Sequence, residues 1–173
     1  SFVSFCDKTI PLDAESVECH QKSIRSLTPL ERLGKLKKLD VSGTFVRDLR
    51  PIQGLFSLEE VDLSRTRVTD IETLSHLPKL RKLSLANTKI TKVRALEISE
   101  SLEDLDIQST RVRDISEIHG LRSLRSLNLS DTPIPDIGSL STLSNLENLV
   151  IQGTSVTSVA LLASLPRLRR LDA

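Results

Sequence analysis

Leu55 to His76, LFSLEEVDLSRTRVTDIETLSH, is the stretch that decides the architecture, because the rest of the chain is built from copies of it. Shifting the sequence by 22 residues lays it on itself without a gap, with units beginning at Pro11, Leu33, Leu55, Leu77, Ser99, Leu121, Leu143 and Leu165. The common pattern is LxxLxxLxLxxTxVxDIxxLxx. Its fourth place holds Ala14, Leu36, Leu58, Leu80, Leu102, Leu124, Leu146 and Leu168, and its fourteenth holds Ile24, Val46, Val68, Ile90, Val112, Ile134 and Val156. A fixed period of this length means stacked units that bury one continuous core, since a single unit cannot bury its apolar face alone.

The pattern predicts how each unit runs. Val61-Asp62-Leu63 alternates apolar and polar, as a strand with one wet face does. Strands of successive units must run parallel, because every unit goes round the same way. A parallel sheet covered on both faces would read as apolar throughout; this one is expected to leave one face open. Val68, Ile71 and Leu74 turn inward behind the leucines, and the return leg is short enough for a 3₁₀ turn or an extended segment. The expected fold is an α/β-type repeat solenoid, right-handed, with a parallel concave sheet and short 3₁₀ or extended convex segments. Thr44, Thr66, Thr88, Thr110, Thr132 and Thr154 hold the twelfth place, where a hydroxyl can satisfy buried turn backbone. Asp48, Asp70, Asp114 and Asp136 stand where they can cap the following short helical turn.

Residues 1–10 precede the first unit and carry Phe2, Val3 and Phe5, the expected lid for the exposed end of the core. Residues 11–173 hold seven complete units and a truncated eighth from Leu165. The unit from Pro11 is degenerate, as terminal repeats usually are. The unit from Leu77 breaks pattern at its end: Lys92 replaces the Asp, and Ile98-Ser99 replaces the junction leucine, so Ile98 is expected to fill its place. The absence of any Met and the stop inside a unit suggest a piece of a longer protein, in which a further coil or cap would follow.

Formal net charge is +1, which gives no bulk argument for nucleic acid or membrane, and no apolar run approaches a bilayer's span. Two cysteines do not make a disulfide framework. The expectation is two free thiols, Cys19 in the core and Cys6 in the leader, in a cytoplasmic protein, with cytoskeletal association as a further expectation; a Cys6–Cys19 bridge stapling an N-terminal cap is the alternative. Asn128-Leu129-Ser130 matches a glycosylation triplet on the open face.

The repeat LxxLxLxxTxVxDIxxL resembles the 22-residue class of leucine-rich repeats found in protein-phosphatase-1 regulatory subunits and in bacterial internalins, and the resemblance covers residues 11–173. Thr in place of Asn, as in SGTFVRDL, SRTRVTDI and QSTRVRDI, is also similar to leucine-rich-repeat proteins of trypanosomes. The resemblance implies a non-enzymatic module that binds proteins on its concave face and serves as scaffold or regulator. The aromatic contacts common on that face in the phosphatase regulators are missing here.

The sequence offers little for catalysis. His20, His76 and His119 lie in different coils and phases, so no ligand cluster is expected, and HExxH, CxxC, GxSxG and Walker-type motifs are absent. No enzyme, cofactor or metal is expected. Asp62 and Asp106 sit two strands, roughly 9.5 Å, apart, too far for one cation.

The exposed columns carry more. The eighth place reads Glu18, Asp40, Asp62, Ser84, Asp106, Asn128, Val150 and Asp172, and with the flanking columns, which add Lys38, Glu60, Lys82, Asp104 and Arg170, it holds seven acids and three cations, a net of −4. The candidate partner-binding face is Glu18, Asp40, Glu60, Asp62, Lys82, Asp104, Asp106 and Asn128, suited to a basic peptide or protein surface. Because these side chains point to water, Asp40, Asp62 and Asp106 are expected to tolerate replacement by Lys. The turn leaving each strand is basic: Arg47, Arg65, Arg67, Lys89, Arg111 and Arg113 form an alternative site, a ridge for an acidic segment. Nucleic acid is disfavoured there because no stacking aromatic accompanies the charges. Self-association as a structural or cytoskeletal module, or a role as regulatory subunit of a phosphatase-like enzyme, are the other functional readings.

Overall fold

The computed structural model describes residues 1–173. It opens with an antiparallel hairpin, β1 (Phe2–Phe5) and β2 (Lys8–Pro11), turned by Cys6 and Asp7 at φ of 55° and 56°. Eight short parallel strands follow, one per coil: β3 (Ser16–Glu18), β4 (Lys38–Asp40), β5 (Glu60–Asp62), β6 (Lys82–Ser84), β7 (Asp104–Asp106), β8 (Ser126–Asn128), β9 (Asn148–Val150) and β10 (Arg170–Asp172). They pair in chain order and in strict register, each residue with the one 22 positions on, as Leu39 with Val61 and Val61 with Leu83. Each return leg carries one 3₁₀ turn, from Thr28–Leu30 to Ala160–Ser164. The fold is the leucine-rich-repeat solenoid that the periodicity predicts.

The core is one apolar column of 48 residues running the length of the stack. The ninth-place carbonyl turns into the coil interior, and the threonines take it: the hydroxyls of Thr44, Thr66, Thr88, Thr110 and Thr154 donate to Val41, Leu63, Leu85, Ile107 and Ile151 at 2.6–2.8 Å, and Thr132 does the same to Leu129, while the N–H groups of Thr44, Thr66 and Thr154 reach the same carbonyls at a longer 3.2–3.3 Å. Each is worth on the order of 1–3 kcal/mol against leaving the buried carbonyl unsatisfied. The Asp residues are not the expected N-caps: Leu49, Ile71, Ile115 and Ile137 hold the cap position without a side-chain cap, and the Asp one residue earlier closes the turn that leads into it. The carboxylates of Asp48, Asp70, Asp114 and Asp136 accept the N–H two residues on, at 3.0, 2.9, 2.8 and 2.7 Å.

Three further expectations need correction. Cys6 and Cys19 are not free thiols: they form a disulfide, Cα atoms 6.0 Å apart, that ties the hairpin to the first coil. The hairpin turn brings Cys6 against the inward ninth place, a proximity that residue spacing cannot reveal. Of the expected lid residues, Phe5 is buried and Val3 partly so, but Phe2 is 61% exposed. Ile98 does not fill the leucine place either; it is 68% exposed. The 22-residue register does not slip there: Leu96 keeps its usual core position and Ser99 itself occupies the junction.

The eleventh place of each regular coil turns the chain out of its strand in the left-handed region. Gly43, Arg65, Asn87, Ser109, Asp131 and Gly153 all have φ between 53° and 74°. Glycine is at ease there; Arg65 carries a penalty of roughly 1–2 kcal/mol for the same conformation.

Candidate functional site

The open face of β3–β7 forms a groove of about 570 Å³, lined by Glu18, Lys38, Asp40, Glu60, Asp62, Lys82, Ser84, Asp104 and Asp106 above a floor of strand leucines and valines. The solenoid brings together all the predicted concave residues except Asn128, which continues the same column on β8.

Their charges are not equivalent. Glu60 lies between two cations, 3.2 Å from Lys38 Nζ and 3.7 Å from Lys82 Nζ on the neighbouring strands. The eighth-place acids are held differently. Asp40, Asp62 and Asp106 each accept the N–H two residues on, from Ser42, Ser64 and Gln108, at 2.9, 2.8 and 2.9 Å. One carboxylate oxygen therefore closes the turn that ends the strand. They do not simply point to water, and replacement by Lys would strip three turn contacts. Asn128 does the same work without charge, accepting from the Ser130 N–H at 3.0 Å, while its amide nitrogen donates to Gln108. The nitrogen of the glycosylation triplet is thus already engaged.

Asp62, Asp104 and Asp106 are half-buried and have no ion-pair partner within 4.0 Å. Burial pushes the carboxyl groups of Asp104 and Asp106 above the usual range; the Lys82 ammonium partly offsets this for Asp104, and the Gln108 N–H for Asp106. The centre of the groove holds negative charge that the fold leaves uncompensated.

At its N-terminal end Glu18, His20 and Asp40 come within 4.8 Å of one another, a cluster the sequence reading did not expect. The imidazole lies between the two acids: Nε2 is 2.8 Å from Glu18, and Nδ1 is 3.1 Å from the Ser42 carbonyl and 3.7 Å from Asp40. The acids face opposite ends of the ring, which suits a doubly protonated imidazolium. The hydrogen bonds to Glu18 and Ser42 raise the His20 pKa accordingly.

Beside the groove runs a ladder that reading the columns at the sixth, eighth and tenth places missed. The fifth place alternates in sign through the whole stack: Glu15, Lys37, Glu59, Arg81, Glu103, Arg125, Glu147, Arg169. Lys37 meets Glu15 at 2.9 Å, Arg81 meets Glu103 at 3.0 Å and Arg125 meets Glu147 at 2.7 Å. The signal was in the sequence, as a charge period twice the hydrophobic one.

The basic ridge stands on the turns leaving the strands. Arg47, Arg65, Arg67, Lys89, Arg111 and Arg113 are all exposed, and none joins an ion pair. An aromatic does accompany them, against expectation: the Arg67 guanidinium sits 3.6 Å from the centre of the Phe45 ring and that of Arg25 5.3 Å from it. Phe45 occupies the thirteenth place of its coil, one coil before Arg67.

Comparison with known proteins agrees with this architecture. The family model for leucine-rich repeats in two copies matches residues 57–97. No curated protein matches. Among solved structures, internalin C2 of Listeria monocytogenes is 30% identical, with a TM-score of 0.85 over 90% of this chain and 69% of that one. The internalin inlF of the same species is 23% identical, with a TM-score of 0.66 over 87% of this chain and 58% of that one. The plant peptide hormone receptor RGFR1, solved in complex with RGF2, shares the fold at 18% identity and a TM-score of 0.73, over 86% of this chain and 26% of that one. The unbroken 22-residue register, the 3₁₀ return legs and the match to internalin C2 place the chain among the internalin-type leucine-rich-repeat proteins.

Proposed function

We propose that this chain is a protein-binding module that receives a basic peptide or basic protein surface in its concave groove. The reading rests on the eighth-place column. The turns after β4, β5, β7 and β8 use an oxygen acceptor there, which Asn128 supplies without charge, while the turn after β9, with Val150 in that place, does without one. Asp40, Asp62 and Asp106 meet the same need while adding three negative charges. The charge is surplus to the fold, and at Asp106 it is held against desolvation. A partner's Lys or Arg would relieve that cost. Leucine-rich-repeat proteins commonly work as interaction modules, and the plant receptor of the same fold was solved with its peptide. Residues 1–10 then act as an N-terminal cap to the repeats of 11–173.

No helix is long and apolar enough to cross a membrane. The Cys6–Cys19 disulfide argues for an oxidising compartment over the cytoplasm, where such bonds are rare.

The test is fluorescence anisotropy with a labelled lysine-rich peptide. Binding should weaken with salt and fall at least tenfold when Asp40, Asp62 and Asp106 are all changed to Asn. Affinity unchanged by that triple variant would remove the groove from the proposal.

A further inference from the structure

We propose that the basic ridge is a second, independent binding site, for a linear sulfated polysaccharide lying across the coils. On the sheet side Lys37, Lys38, Arg81, Lys82 and Arg125 meet carboxylates, while Arg169 and Arg170 of the last coil do not. The ridge has no such pair. Arg47, Arg65, Arg67, Lys89, Arg111 and Arg113 remain unpaired, although Asp48, Asp70 and Asp114 lie on the same turns. Those acids spend an oxygen on backbone amides, and Asp48 is further held by Arg50 at 2.6 Å.

One feature goes beyond an ordinary solvated rim. Arg67 is stacked on Phe45, which orders its guanidinium before any ligand arrives and leaves its N–H edges free to meet an anion. The platform is rigid as well: the N–H groups of Phe45, Arg67 and Arg111 bond to Ile24, Val46 and Ile90 of the preceding coils at 2.9–3.0 Å.

Geometry selects the ligand class. Arg67, Lys89 and Arg111 hold the same place in three consecutive coils, so their stems rise by about one strand spacing, ~4.8 Å, per step. A sulfated polysaccharide carries anionic groups at a comparable repeat, on about every sugar ring. The ridge lies on turns, with no strand edge of the kind that extended peptides use. The Phe45 ring is already engaged by a guanidinium, so it offers no open platform to a nucleobase. The disulfide fits a compartment in which sulfated glycans are the prevalent polyanions.

Immobilised heparin is the probe, with the disulfide-bonded chain as analyte. Wild-type chain should be retained at physiological salt and should bind at least tenfold more weakly after Arg67→Glu, Lys89→Glu and Arg111→Glu are combined. The triple Asn variant of the concave acids should bind heparin as wild type does, which separates this site from the groove. Polyglutamate and single-stranded DNA should compete at least tenfold less well than soluble heparin. Heparin binding that survives the ridge triple change in a folded protein, or equal competition by either polyanion, overturns the proposal. Arg67→Lys keeps the charge and gives up the planar guanidinium stack; a measurable loss with that variant supports the ordered-guanidinium argument, and no change counts against it.

Discussion

The concave acids and the basic ridge lie a few residues apart in every coil, and the fold treats them oppositely. The acids of the eighth place are tied in: one oxygen of Asp40, Asp62 and Asp106 closes the turn after its own strand. The ridge cations of the thirteenth place touch no carboxylate, and only Arg67 is held, by an aromatic ring. A column can thus look functional by charge and still have a structural duty, while a column that looks like ordinary solvated surface has none. The distinction lies between the oxygen, which the turn uses, and the charge, which it does not.

Both columns stand on the leucine core, so the largest effect should come from breaking that support. Leu83, on β6 under the centre of the groove, is nearly fully buried. Leu83→Ala should cost roughly 2–5 kcal/mol in equilibrium urea melts. A cost under about 0.5 kcal/mol would mean that the sheet faces the other way, and the comparison of the two columns would lose its basis.

The fifth-place ladder comes next, because there charge does serve the fold. Arg81→Glu sets carboxylates side by side on three adjacent strands, β5 to β7, where Arg81 now separates Glu59 from Glu103. Stability should fall at low salt, and the loss should shrink as salt rises. Reversing Lys89 on the ridge should change stability by less than about 0.5 kcal/mol.

Arg65→Gly should move the other way. It relieves a left-handed side chain, and the gain should be on the order of 1 kcal/mol, less the greater entropy of glycine in the unfolded chain. If the ridge binds heparin, the same variant should bind it less well, a trade of stability against function.

The smallest effect belongs to Asp106. Its carboxyl is raised by burial, so ionising it costs the folded state more than the unfolded one. That cost is absent below the ordinary value of 3.8 and develops as pH rises through the raised folded value. Asp106→Asn keeps the acceptor, and thermal melts should show it slightly more stable than wild type at neutral pH, by no more than about 0.5 kcal/mol, with the difference fading in acid.

The period made the fold legible, because a unit that repeats without insertion leaves one way to stack. The twelfth-place threonines were legible too, since a polar residue at an inward position needs a partner. Other features depend on geometry that residue spacing does not carry. Cys6 reaches Cys19 only because the hairpin turns back, and the eleventh place is left-handed although Arg65 and Ser109 give no hint of it. Ile98 stands at the surface because the register does not slip: the small Ser99 is buried at the junction place itself. The alternating ladder was visible in the sequence, at twice the hydrophobic period. The two candidate surfaces were named from charge alone, and charge cannot say which carboxylates the backbone has already claimed.

The most direct test of that last point compares two triple variants by urea denaturation: Asp40, Asp62 and Asp106 all changed to Asn, and the same three changed to Ala. If the turn uses the oxygen and leaves the charge free, the Asn protein should match wild type within about 0.5 kcal/mol, while the Ala protein should lose roughly 2–4 kcal/mol, near 1 per abandoned acceptor. Equal losses in the two proteins would show that the charge itself holds the fold, and the concave column would no longer be free to serve a partner.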